Sequence, residues 1–96
     1  MISLQQMHYI VVLSEELQFQ KASEKCFVTQ PTLSMQIKKA EEAFGHFVFD
    51  RSKNPMELTT FGREVLPVIR DILAENKKLK LICDRRNGKV KEEVTL

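Results

Sequence analysis

The chain has 96 residues, 43% of them hydrophobic and 29% charged, with a net charge of +2. That length holds one small domain, and that composition folds instead of staying disordered. A core this small is marginal alone, so part of the chain is expected to need a partner. So weak a basic balance makes any case for nucleic acid depend on where the cations sit.

The first predicted helix runs from about Leu4 to Leu17, with Leu4, Met7, Ile10, Val11, Ser14 and Leu17 on one face. Ser3 and Gln6 form a capping-box pattern at its start, and Phe19 follows as a core anchor. A short second helix covers Gln20 to Cys26. Small Ala22 and Ser23 let another helix approach closely, and Cys26 points inward as a small hydrophobe. Phe27 and Val28 make a tight connection.

The third helix opens at Thr29, its N-cap, and runs to Phe44. Pro31 marks a first turn, where backbone N–H groups have no intrahelical acceptor. Leu33, Ile37, Ala40 and Phe44 form the buried stripe, while Pro31, Thr32, Met35, Lys38 and Lys39 lie opposite, with Ser34 on the flank. Gly45 ends the helix. Val48 and Phe49 have strand character, the SKNP stretch turns, and Met56 to Thr59 return as a second short strand. Thr60 is the expected N-cap of a long last helix, Phe61 to Arg86, which Pro67 should kink or restart.

Along that helix Val65, Ile69, Ile72, Asn76, Leu79 and Cys83 alternate steps of four and three, a heptad seam on which Asn76 fixes register. A helix this long cannot bury that side against three short ones, so a partner helix from a second chain is expected; folding back on its own domain is the alternative. Residues 87–96, NGKVKEEVTL, open with a turn signal and read as a stub or linker.

Cys26 and Cys83 form no CxxC pair, and no His/Cys spacing suits zinc. They read as reduced thiols of a cytoplasmic protein, and no metal or other cofactor is expected. His8 and His46 are ordinary surface or boundary histidines. The start, MISLQQMHYI, lacks a basic n-region and a small-residue cleavage site. No apolar run approaches the ~20 residues of a membrane span. Nor is an enzyme expected: there is no Gly-rich phosphate loop, no nucleophile with a base, and no carboxylate cluster near a histidine.

Helix, short helix, tight turn and a second helix polar on its outer face make a helix-turn-helix arrangement. In that arrangement the second helix enters the major groove, its N-terminal residues at the base edges. The free N–H groups at Thr29–Ser34 suit a phosphate oxygen. Thr29, Thr32 and Ser34 can donate to phosphate or base edges, and Gln30 can bridge adenine N6 and N7. Pro31 and Met35 offer apolar surface to a thymine methyl. Lys38 and Lys39 reach phosphates, unless they form a plain solvated face. Arg51 and Lys53 sit at the tip of the hairpin, where a wing meets the minor groove or its phosphates. Alternatively, Arg51 pairs with Asp50 or a nearby glutamate, and Lys53 is plain surface.

From about Leu4 to Ile82 the chain resembles the N-terminal DNA-binding domain of LysR-type transcriptional regulators. The resemblance rests on F-x-x-A at Phe19 and Ala22, V-T-Q-P-T-L-S-x-Q-I from Val28 to Ile37, and E-x-x-F-G from Glu41 to Gly45. F-D-R from Phe49 to Arg51 and L-T-x-x-G from Leu58 to Gly62 complete it. It implies a mainly α fold: a winged helix-turn-helix over residues 1–60, a linker and dimerisation helix over 61–87, and a hinge stub over 88–96. It further implies double-stranded DNA as partner, at an inverted-repeat operator, and a homodimer whose linker helices pair antiparallel. The positions matching family DNA contacts are Gln30, Pro31, Thr32, Ser34, Met35, Lys38 and Arg51. Met35 stands where an arginine is often found, which alters the preferred site. Ser23 replaces a usual alanine. Ala40 replaces a usual leucine, with Phe44 and Phe47 as compensating bulk. Family members carry an effector domain beyond the linker, so a small-molecule or redox effector would act only through that absent domain. The run from Cys26 to Ser34 is similar to the peroxide-sensing, OxyR-like subgroup, whose redox cysteines lie in that part. The rival reading is a protein–protein module acting through the heptad helix.

Overall fold

The computed structural model describes residues 1–88, and the expected stub over 88–96 lies outside them except for Gly88. The elements run α1 (Leu4–Glu16), α2 (Phe19–Cys26), α3 (Gln30–Phe44), β1 (Phe49–Asp50), β2 (Glu57–Leu58) and α4 (Thr60–Arg86). This is a winged helix-turn-helix followed by one long helix.

Ser3 caps α1 with a complete capping box: its Oγ accepts from Gln6 N–H, and the Gln6 side chain accepts from Ser3 N–H, both at 3.0 Å. Helix α1 touches α2, α3 and α4. Being covered from three sides, it buries Tyr9, Ile10, Val12 and Leu13, while Leu4 is exposed and Met7 and Val11 are only half-buried. The single stripe expected on α1 is therefore too narrow: Ile10 is fully buried and Met7 and Val11 pack on the core as expected, but the buried Tyr9, Val12 and Leu13 lie outside it.

Ala22 and Ser23 are both buried where α2 meets its neighbours. The turn to α3 is three residues, Phe27–Thr29. Phe27 adopts a left-handed φ of 58° with its side chain 94% exposed, and its N–H bonds back to the carbonyls of Ser23 and Glu24. Helix α3 starts as its caps dictate. Thr29 Oγ1 accepts from Thr32 N–H at 3.3 Å, proline follows in the first turn, and Gly45 closes the far end at φ 78°. Leu33, Ile37 and Ala40 are fully buried.

The wing is an antiparallel ribbon, Phe49 opposite Leu58 and Asp50 opposite Glu57. Thr59 joins it to α4: its N–H donates to Val48 O at 2.9 Å, and its Oγ1 donates to Phe47 O at 2.6 Å while accepting from Gly62 N–H at 2.9 Å. Thr59, not Thr60, is thus the N-cap. It keeps the extended backbone of the strand, and Thr60 is already helical.

Helix α4 is unbroken through Pro67. The pyrrolidine sits on an exposed side, and so does Arg63, the residue whose carbonyl a non-proline at 67 would have served with its N–H. The seam divides. Ile69 is 3% exposed and Val65, Leu66 and Leu73 pack on the core, so the first half of α4 folds onto its own domain. Ile72, Asn76, Leu79 and Cys83 are exposed, Leu79 by 60%. Phe47, expected to compensate for Ala40, is 72% exposed and fills nothing. Phe44 does the filling: it packs on the core and meets Phe61 edge-on at 5.5 Å. Among the described residues no helix is long and apolar enough to cross a membrane.

Candidate nucleic-acid interface

One face of α3 is buried and the other is clear of the protein. Gln30, Pro31, Met35, Lys38 and Lys39 are exposed, and Thr32 and Ser34 are half-buried at the edge. This follows from helical periodicity: with Leu33, Ile37 and Ala40 pinned inward, positions turned away by about 180° face outward. Two lysines follow the polar first turn on that face.

The hydroxyls have definite directions. Thr29 Oγ1 donates to Thr32 Oγ1 at 2.9 Å. Ser34 Oγ accepts from an Arg51 Nη at 3.5 Å. Thr29 is thus committed to capping, whereas Thr32 and Ser34 accept within the protein.

Arg51 leaves β1 and lies back across the junction of α2, α3 and the wing. Its guanidinium carbon sits 4.8 Å over the Phe19 ring, within cation–π range. Its other Nη is 3.6 Å from a Glu41 carboxylate oxygen. Glu41 is the glutamate Arg51 finds, not Asp50. Phe19, Gln30, Pro31, Ser34 and Arg51 line an open concavity beside the start of α3. Lys53 projects from the exposed loop of the ribbon. That loop is braced by Asp50, whose carboxylate accepts from Ser52 N–H and Oγ. Those bonds hold the Asp50 carboxyl below the usual carboxylate range.

Glu41 is buried, and its other oxygen accepts from Val48 N–H at 2.9 Å and Phe49 N–H at 3.2 Å. Sequence reasoning missed this residue and Phe19's role under Arg51. A signal for Glu41 was available: it stands four residues after Ile37, on the inward stripe, where a charge has to find partners. The expected dimer residues are not all on one free surface. Val65 and Ile69 face the domain, and Ile72, Asn76, Leu79 and Cys83 do not. Burial pushes the Cys26 thiol up. Among the described residues no group of three metal-ligating side chains comes together.

A tri-helical core, a three-residue turn, an exposed second helix and a two-stranded wing define the winged helix-turn-helix class. Residues 4–63 match the family described as bacterial regulatory helix-turn-helix protein, lysR family. The chain belongs to that family. It is 34% identical over 89 residues to the uncharacterized HTH-type transcriptional regulator YkuM of Bacillus subtilis, covering 93% of this chain and 30% of that protein. It is also 34% identical over 85 residues to the DNA-binding transcriptional dual regulator OxyR of Escherichia coli, covering 88% of this chain and 28% of the relative. The chain therefore spans less than a third of the length of either relative.

Two solved structures match closely in shape. A full-length OxyR variant from Pseudomonas aeruginosa superposes with a TM-score of 0.84 at 33% identity, over 88% of this chain and 29% of that one. The BenM DBD in complex with catB site 1 DNA superposes with a TM-score of 0.86 at 26% identity, over 97% of this chain and 100% of that one.

Proposed function

We infer that this chain binds double-stranded DNA sequence-specifically in the bacterial cytoplasm, as the DNA-binding part of a LysR-type transcriptional regulator. Helix α3 enters the major groove by its N-terminal turns. Gln30, Pro31, Thr32, Ser34 and Met35 meet base edges or nearby phosphates, Thr29 organises the first turn, and Lys38 and Lys39 reach the backbone. The wing lies on the adjacent minor groove or its phosphates through Arg51 and Lys53. The observation that carries this reading is the division of α3: one stripe fully buried, the other bare and bearing only short polar, apolar and cationic side chains around its N-terminus.

The second half of α4 pairs with the same helix of a second copy. Ile72, Leu79 and Cys83, with Asn76 among them, are positions left exposed among the described residues. Two copies related by a two-fold axis then read an inverted repeat. Leu79→Glu is expected to shift the dimer to monomer in sedimentation and to weaken binding to a two-half-site duplex by at least about tenfold. A variant that stays dimeric would remove α4 from the interface. Response to a small molecule or redox signal is assigned to the regulator's effector domain, not to this one.

Selection from a random DNA pool tests the reading. A palindromic motif is expected, with log K falling steeply against log salt. Gln30→Ala should relax base preference by about 1–3 kcal/mol, and Lys38→Ala should weaken all sequences alike. No enrichment, or indifference to both changes, would sink the groove placement. The rival, a helical interaction module, draws on exposed Leu79, Leu81 and Ile82; it predicts association nearly insensitive to salt and no DNA retained.

A further inference from the structure

Three serines lie inside helices, and two of them turn their protons inward. Ser14 Oγ donates to Val11 O at 2.6 Å, and Ser23 Oγ donates to Gln20 O at 2.8 Å. Such back-bonding is the ordinary fate of a mid-helix serine. Ser34 differs: it accepts from Arg51 and makes no donor bond among the described residues. A guanidinium only donates, so its bond fills an oxygen lone pair of Ser34 and leaves the hydroxyl hydrogen unused.

Arg51 is held in place to do this. The Phe19 ring lies beneath it, Glu41 neutralises it from behind, and Glu41 is itself fixed by two buried backbone amides. Arg51 is thus tied to three side chains on two helices, Phe19 of α2 and Ser34 and Glu41 of α3, and the geometry sets a planar group, not a point charge. We propose that Arg51 is a positioning residue that presents the Ser34 hydroxyl to DNA as a donor, so that Ser34 recognises an acceptor: a phosphate oxygen, or a base-edge acceptor such as purine N7. This rests on the DNA-binding reading above and reassigns Arg51 within it. The arginine acts through Ser34, and the free cation of the wing is Lys53.

The test is a set of titrations of the selected duplex over a range of salt, with the unmodified 96-residue chain, Arg51→Ala, Arg51→Lys, Ser34→Ala and the double variant Arg51→Ala/Ser34→Ala. Arg51→Ala and Ser34→Ala are each expected to weaken binding by about tenfold, and the double variant by no more than the weaker single. Arg51→Lys is expected to fail to rescue, because an ammonium cannot lie flat on Phe19 and bridge both partners. The salt slope should be unchanged by Arg51→Ala, since Glu41 already neutralises the group.

Duplexes carrying single methylphosphonates or 7-deazapurines then identify the acceptor. One of these should weaken the unmodified chain and leave Ser34→Ala indifferent. Additive losses, rescue by lysine and a slope smaller by about one would make Arg51 a direct phosphate contact and overturn the proposal. Ser34→Ala lies at the surface and is expected to fold, so it remains informative if Arg51→Ala does not. Failure of the unmodified chain to bind any duplex would instead strike down the functional reading itself.

Discussion

Gly62→Ala is expected to destabilise the domain by about 3 kcal/mol, although the same change in an open helix would stabilise it by about 1. Gly62 is the third residue of α4, and its φ is ordinary for a helix, so no backbone freedom is at stake. The constraint is space. A Cβ there would overlap the carbonyl oxygen of Val48 and come within 3.1 Å of Leu58 Cδ2. The oxygen is held in place, because it accepts from Thr59 N–H at 2.9 Å while the Thr59 hydroxyl donates to the neighbouring Phe47 O at 2.6 Å. Those bonds seat the start of α4 on the chain entering the wing, and only a residue without a side chain fits between. In thermal melts the loss corresponds to a fall in Tm of roughly 10–20 °C. Glu64→Ala, two residues on and exposed, should change stability by less than about 0.5 kcal/mol. An unchanged or higher Tm for Gly62→Ala would show that α4 does not seat this way.

Gly45 offers the contrast. A Cβ there meets nothing within 4 Å, but φ is 78°. Its cost on substitution is the left-handed backbone alone, roughly 1–2 kcal/mol. From sequence Gly62 stands only as the last residue of the L-T-x-x-G pattern, while Gly45 reads as helix punctuation. Only Gly45 could be understood that way, since a C-terminal glycine after an apolar-periodic run is a local signal. The need for Gly62 arises from Val48, fourteen residues away, and no local pattern carries it.

The same division runs through the rest of the molecule. Local chemistry was legible: the Ser3–Gln6 capping box, the Thr29 cap with Pro31 and Gly45, and the inward stripe Leu33, Ile37 and Ala40. The bare face of α3 followed from that stripe, and with it the candidate site residues Gln30 to Lys39. What failed needed neighbours. The buried face of α1 depends on being wrapped by three helices, so single-stripe periodicity found only part of it. The cap of α4 moved from Thr60 to Thr59 because strand pairing holds Thr59 extended against Val48. The heptad seam of α4 was visible, but a repeat cannot say where one partner ends and another begins; Val65 and Ile69 serve the domain, and the exposure starts at Ile72. Phe47, expected from the family resemblance to fill the space beside Ala40, is exposed. Arg51 was legible as a wing cation, whereas its tie to Ser34, Phe19 and Glu41 is tertiary.

Glu41→Ala is the other large effect expected. Its carboxylate accepts from two amides, those of Val48 and Phe49, in residues that are themselves buried. Alanine leaves both N–H groups without a partner and water cannot reach them, at about 1–3 kcal/mol each. The ion pair with Arg51 adds little, because that side chain is 40% exposed and the separation is 3.6 Å. The sum is about 2–6 kcal/mol, enough at its upper end to unfold much of a domain of this size at 37 °C. Glu41→Gln separates the two duties of the residue. Its amide oxygen can still accept from Val48 and Phe49, so urea titration should find a loss of only about 1 kcal/mol. Its NH2, however, replaces the oxygen facing Arg51 and turns a donor toward a donor. A folded Glu41→Gln variant should therefore bind DNA less well at unchanged secondary structure, with the Phe19 ring resonances moved by the departing guanidinium. Equal losses for the glutamine and alanine variants in urea would mean that the amides are not what Glu41 holds.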